Sequence, residues 1–162
     1  MILVPRISSE NRIYIPIGFA DNSIISTDAN LIIESGELYH FGVLISSIHM
    51  AWMRAVAGRL KSDYRYSKDI VYNNFIWPDV TDAQKEKISK TAQGILDARA
   101  LYPDSSLADL YDPLTMPIEL RKAHQANDKA VIEAYGWKKD ITEEEIVSKL
   151  MQLYAEKTRE SV

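Results

Sequence analysis

Residues 38–60 read L-Y-H-F-G-V-L-I-S-S-I-H-M-A-W-M-R-A-V-A-G-R-L, and a change of rhythm inside this stretch decides the fold class. From Ser46 or Ser47, either of which can cap a helix by accepting from an orphan N–H, Ile45, Ile48, Trp52 and Val56 recur three or four apart. That spacing predicts a helix running to about Leu60, with Arg54, Gly58 and Lys61 on the face opposite the apolar stripe. The preceding residues follow a shorter period. Residues 12–19, R-I-Y-I-P-I-G-F, alternate and are rich in Ile and Tyr. A polar turn follows at 20–23, then short apolar segments at 29–33 and 38–43, and all three segments read as strands. Pro5 and Pro16 confine their strands to edges or ends, because proline donates no ladder hydrogen bond. A few short strands rarely make a stable sheet alone, so the chain is expected to begin partway through a β-rich domain.

Beyond residues 62–80, which have no helical period and read as an ordered loop or short strand, the chain is helical. Thr81 with Gln84 has the spacing of a capping box and opens a helix to about residue 100. Pro117 suits the first turn of a helix ending before Gly136, and Thr142 with Glu145 opens a last one. In that last helix Ile146, Leu150, Leu153 and Tyr154 form one stripe, while Glu143, Glu144 and Glu145 sit at the positive end of the helix dipole. The expected fold is therefore α+β: part of a β-rich domain over residues 1–78, then a mainly helical subdomain over 79–162.

Composition narrows the function classes. The 162 residues contain no cysteine, which excludes disulfides and thiolate metal sites and makes an intracellular, cytoplasmic location the default. No run of eighteen apolar residues occurs, so no membrane span is expected. A net charge of −4 argues on its face against nucleic acid, since phosphates are neutralised by Lys and Arg. The average conceals a division. Residues 1–78 are neutral, and five of their seven basic side chains (Arg54, Arg59, Lys61, Arg65, Lys68) fall in one segment where Asp63 is the sole acid. Such a local basic patch is what a DNA reader requires, although a charge run can equally be a solvated face.

Catalytic chemistry finds no familiar pattern here. The six glycines form no phosphate loop, no G-x-S-x-G elbow occurs, and His40, His49 and His124 lack metal-ligand spacing. His49, on the predicted helix, reads as a core or flanking histidine. Pro78-Asp79 with Glu86-Lys87 has the wrong carboxylate and lysine spacing for a metal-dependent nuclease. Tyr64, Tyr66, Tyr72, Phe75 and Trp77 could stack on bases, but aromatics dominate burial energetics and are first expected to pin the segment to the core.

Residues 38–78, continuing past Leu60 as K-S-D-Y-R-Y-S-K-D-I-V-Y-N-N-F-I-W-P, closely resemble the target-recognition region of the MmeI-like DNA methyltransferases, single-chain restriction and modification proteins. Residues 110–136, L-Y-D-P-L-T-M-P-I-E-L-R-K-A-H-Q-A-N-D-K-A-V-I-E-A-Y-G, resemble the C-terminal helical region of that family. Residues 4–19, V-P-R-I-S-S-E-N-R-I-Y-I-P-I-G-F, are similar to a further recognition segment.

The resemblance implies sequence-specific recognition of double-stranded DNA on behalf of adenine methylation. The methyltransferase domain of the same parent, with its N-P-P-Y motif and S-adenosylmethionine, is expected upstream. Asn73-Asn74-Phe75 lacks the proline pair of that motif, so this chain is expected to carry no catalytic group. The division is physically sensible, because the target base must leave the stack for chemistry while another module holds the duplex. The resemblance further implies that Lys61 and Asp63 read one base pair and that Arg65, with Ala29, forms a second reading position; Arg54 and Arg59 of the basic segment, with Arg6, Ser8 and Ser9, are expected to complete the DNA-binding set. Lysine donates to guanine O6 and N7 and aspartate accepts from cytosine N4, so the pair suits one G·C base pair. Two residues apart in an extended segment, they would leave on one face. The alternative is that Lys61 touches phosphate and Asp63 caps a turn. A different class of function also stays open, a non-catalytic module whose acidic helices bind a protein.

Overall fold

The computed structural model describes residues 1–160 apart from Asn22, Ile24 and Ile25. The turn expected at 20–23 therefore lies partly outside the described residues. Two small antiparallel sheets and a set of helices share one continuous core, in keeping with the α+β expectation. In the first sheet β1 (Ile2–Pro5) lies between β3 (Gly18–Phe19) and β4 (Asn30–Ile33). In the second, β6 (Asp63–Arg65) lies between β2 (Ile7–Ser8) and β5 (Gly58–Leu60). Arg6 joins them. Its N–H donates to the Ala29 carbonyl at 3.0 Å and its carbonyl accepts from the Tyr66 N–H at 2.7 Å, so the backbone leaves one ladder and enters the other without a loop.

Three sequence expectations change here. Residues 12–19 pair as strand only at Gly18–Phe19. Tyr14, Ile15, Pro16 and Ile17 are all buried in succession, which a strand with one wet face cannot achieve, and the Ile17 N–H turns back to the Ile15 carbonyl at 2.8 Å. Residues 38–43 are helix, not strand: α1 spans Leu38–Leu44. Its N-terminus is closed by His40, whose Nδ1 accepts from the Glu37 N–H at 3.0 Å, and its buried Phe41, Val43 and Leu44 lie in a short run, residues 41–45, with no polar side chain to mark the period. Finally, α2 spans Ser47–Val56 and stops short of Leu60. Ser46 caps it, and Ala57 is already extended, so residues 58–60 leave the helix to pair with 63–65.

The remaining helices follow their caps. α3 (Asp82–Ala100) opens on the capping box of Thr81 and Gln84, α5 (Ile118–Ala134) follows Pro117, and α6 (Glu143–Glu160) follows the reciprocal bonds of Thr142 and Glu145. A short α4 (Leu107–Leu110) and a π-helical turn over Lys68–Tyr72 complete the elements described. α3 packs on α1 and α5, and α6 packs on α2, so the helical half braces the recognition half from two sides. The close approach of α1 to α3 needs Gly42: a Cβ there would stand 2.7 Å from Ile88 Cγ2 and 3.1 Å from Ala92 Cβ. Asn127 completes the contact by donating from Nδ2 to the Gly42 carbonyl at 2.8 Å.

Candidate nucleic-acid interface

The aromatics of residues 64–77 belong mainly to the core. Tyr66 and Phe75 are buried around His49: its Nε2 lies 2.7 Å from the Tyr66 hydroxyl and its ring meets Phe75 edge-on at 4.4 Å. Burial pushes the His49 pKa down to about 3, so a neutral imidazole fills the core, the place expected of His49 from the sequence. Trp77 is edge-on to His40, Tyr72 and Phe75. Tyr66 directly follows β6, so its place beside His49 anchors the end of the β5–β6 hairpin in the core.

Strand alternation then sorts the hairpin's side chains. Arg59 stands opposite Tyr64, and Tyr64 opposite Ser8, so these three leave on one face; Ser8 is 3% exposed and Tyr64 is 8% exposed, which makes that face the inner one. Leu60 stands opposite Asp63 and Arg65 opposite Ile7, so these four leave on the outer face, where Leu60 and Arg65 are well exposed. Lys61 occupies neither face. It sits at the first of the two loop residues joining the strands, exposed, with φ of 59°. A non-glycine residue in this left-handed region costs on the order of 1–3 kcal/mol and persists only where its surroundings impose it, and such strain concentrates at functional sites.

The geometry expected for Lys61 and Asp63 is thus corrected. They do not share an extended segment. Lys61 is at the tip and Asp63 is the first residue of the returning strand, while the pair that does lie two apart on one strand face is Asp63 and Arg65.

The other candidates divide by what they touch. Among the described residues, the side chains of Lys61 and Arg65 make no hydrogen bond or ion pair. Arg6 donates from Nε to the Asp28 carbonyl at 2.7 Å, beside exposed Ala29, and the backbone of Arg6 links Ala29 to the end of β6. Ser9 organises the next turn, its hydroxyl accepting from the Asn11 N–H at 3.2 Å. Ser8 faces inward. Arg54, on α2, turns away from the hairpin: it pairs with Glu143 of α6 at 2.5 Å and donates from Nη1 to the Ile13 carbonyl at 3.0 Å. Arg59 is stacked 3.9 Å over the Tyr64 ring, donates from Nη1 to the Ser62 carbonyl at 2.6 Å, and meets Glu10 at 3.3 Å. Glu10 has no motif of its own in the sequence and is found only through its contact with Arg59, while the cross-strand register sets Tyr64, one of the aromatics noted in the sequence, beside Arg59.

Family models describe the chain from end to end. Residues 1–79 match the target recognition domain of MmeI, and residues 80–162 match the C-terminal domain of MmeI. The chain belongs to the MmeI family. Among MmeI relatives, DNA methyltransferase A of Bacillus subtilis (strain 168) is 45% identical over 157 residues, which cover 97% of this chain and 18% of that protein. The Type IIL restriction-modification enzyme MmeI, solved in complex with DNA, is 49% identical with a TM-score of 0.93, over 98% of this chain and 21% of that one. This chain therefore spans about a fifth of the length of the MmeI relatives it matches.

In doubly wound nucleotide-binding folds a glycine-rich turn and an acid for the ribose hold the cofactor, the pattern to compare for S-adenosylmethionine. Here Gly36 and Gly42 lie against Ile2 and Ile88 rather than around a cradle, and the unpartnered buried polar atoms, Ser8 Oγ, His49 Nδ1 and His124 Nδ1, are dispersed through the core. A cleft of about 510 Å³ between residues 9–12 and 108–114 is lined by Arg12 and Asp112 but by no glycine. Among the described residues no group of three His, Asp or Glu side chains is set to hold a metal ion, and no helix is long and apolar enough to cross a membrane.

Proposed function

We propose that this chain reads double-stranded DNA for an adenine-N6 DNA methyltransferase, holding the duplex while a methyltransferase domain of the same enzyme supplies S-adenosylmethionine and the adenine pocket. The observation that carries the reading is the β5–β6 hairpin. It presents Lys61 in a strained, solvent-facing turn, with Asp63 and Arg65 on the outer face behind it, on the most basic segment of the chain. The DNA complex of its relative MmeI supports duplex DNA as the ligand. Residues 1–78 act as the reader and 79–162 as its brace, Lys61 and Asp63 as a base-reading pair, Arg65 with Ala29 as a second reading position, and Arg6 and Ser9 as supports of the backbone beside them. Arg54, Arg59 and Ser8 are assigned to the scaffold. Work on chromosomal DNA implies the bacterial cytoplasm.

The test is an exchange of the pair in the full-length enzyme, Lys61→Glu with Asp63→Arg. An acid accepts from cytosine N4 and arginine donates twice to guanine, so the preferred base pair should reverse from G·C to C·G, with discrimination of about 1–3 kcal/mol. Methylated adenines mapped by sequencing would report it. An unchanged motif, merely methylated less, would reduce both residues to backbone contacts. Binding that is indifferent to salt would instead favour a protein partner for the acidic helices, because each phosphate contact on duplex DNA contributes roughly −0.9 to the salt slope.

A further inference from the structure

We infer that Arg59 is a positioning residue for base reading rather than a DNA contact: it sets the peptide plane from which Asp63 leaves. The inference rests on the DNA-reading role proposed above. It begins with direction, since Arg59 leaves β5 on the inner face with Tyr64 and Ser8, opposite to Asp63 and Arg65. Its guanidinium makes three contacts: its Cζ lies 3.9 Å from the Tyr64 ring centroid, and its Nη1 donates to the Ser62 carbonyl at 2.6 Å and to Glu10 at 3.3 Å.

The Ser62 contact is the one with a consequence for recognition. The Ser62 carbonyl and the Asp63 N–H and Cα belong to one rigid peptide plane, so holding the oxygen holds the point from which the Asp63 side chain leaves. The same bond closes the loop behind Lys61, whose left-handed φ of 59° must be imposed by its surroundings. Glu10 in turn holds the guanidinium over the ring from the segment after β2. A delocalised guanidinium can lie over the ring while its Nη1 donates to both oxygens, and a lysine ammonium could not reproduce both the ring contact and the directed bond.

The test uses the full-length enzyme and sequencing of methylated sites. Arg59→Lys and Arg59→Ala should each lower discrimination at the single base pair read by Lys61 and Asp63 by about tenfold, leaving the other positions of the motif as selective as before. Glu10→Gln should relax the same base pair, by about two- to threefold. A phosphate contact gives the opposite pattern: Arg59→Lys would be tolerated, Arg59→Ala would weaken all sites equally, and Glu10→Gln would tighten binding by releasing the cation. Either that pattern or an unchanged motif in Arg59→Lys overturns the inference. The exchange at positions 61 and 63 serves as the control. If it switches the motif while Arg59→Lys does nothing, the positioning role alone falls; if it leaves the motif unchanged, the base-reading role fails and this inference with it.

Discussion

Asp128 of α5 accepts a hydrogen bond from the backbone N–H of Ser47 at 2.8 Å, across 81 residues of chain, so a carboxylate from the C-terminal half caps the N-terminus of α2. Its other oxygen accepts from the Tyr14 hydroxyl at 2.5 Å, and Tyr14 stacks on His124 with ring centroids 4.1 Å apart. The two halves are therefore joined through the first turn of the helix that leads into the reading hairpin. An orphan N–H, a helix dipole and a phenol hydroxyl meet on one side chain.

That carboxyl should leave a mark on stability against pH. Burial raises the Asp128 pKa from 3.8 to about 6, outweighing the lowering by Tyr14 and Ser47. A folded-state pKa above the unfolded one means that the native state holds the proton more tightly. The contribution is fully present below pH 4 and is lost as pH rises to about 6, on the order of 2–3 kcal/mol. Glu119 and Glu133 are held low by Tyr102 and Lys87 and act in the opposite sense at lower pH, so the comparison must be a difference. Wild type minus Asp128→Asn, by urea denaturation from pH 4 to 7, should fall across that window and then level off. Asparagine keeps an acceptor for Ser47. Asp128→Ala does not, and should cost about 1–3 kcal/mol.

Gly42→Ala should be among the more damaging single methyl additions. The new Cβ would meet Ile88 Cγ2 at 2.7 Å, Ala92 Cβ at 3.1 Å and Asn127 Oδ1 at 3.1 Å, all held by buried helix surfaces. Overpacking of this kind costs roughly 1–3 kcal/mol. Thermal melting should show the loss, whereas Gly58→Ala, with nothing within 4 Å of its added Cβ, should melt within about 0.5 kcal/mol of wild type.

The helical half was legible because its ends carry their own chemistry: Thr81 with Gln84, Pro117, and Thr142 with Glu145 satisfy orphan N–H groups locally, whatever the rest of the chain does. The recognition half was less so. Residues 41–45, F-G-V-L-I, have no polar side chain, and such a short run has no period to separate strand from helix. Residues 14–17 are buried because Tyr14 reaches α5, a contact 114 residues away. The hairpin is hidden by its loop, Lys61-Ser62, which lacks the Gly or Asn that normally announces a two-residue turn, so the helix that ends at Val56, with its apolar stripe, reads as running on to about Leu60. The basic segment was visible in composition, but which cations stay free was a matter of faces, and faces followed from register.

Arg54 supplies a direct check on that sorting. Its guanidinium ties α2 to Glu143 and the Ile13 carbonyl, with side-chain exposures of 24% for Arg54 and 53% for Glu143. A partly exposed pair contributes little, so Arg54→Gln should lower stability by about 0.5–1 kcal/mol. In the full-length enzyme the slope of log affinity against log salt should stay unchanged for Arg54→Gln. For Arg65→Gln it should change by roughly one if Arg65 meets a phosphate, or leave the slope and relax one motif position if it reads a base.

Lys61→Gly should separate folding from reading. At φ of 59° a lysine Cβ crowds the carbonyl that follows, a cost of about 1–2 kcal/mol that glycine does not bear. Glycine gives back part of that gain through the greater freedom of the unfolded chain, so the variant should be as stable as wild type or more so, by up to about 1 kcal/mol. Its ammonium group is gone, however, and with it the donor to guanine O6 and N7. Melting temperature and methylation selectivity should therefore move in opposite directions, the first level or upward and the second downward at one base pair. A surface lysine with no role in reading would give the stability gain with an unchanged motif. A lysine whose conformation is imposed by folding alone would show the reverse, a loss of stability on replacement by glycine, and that result would remove the strain from the account of this turn.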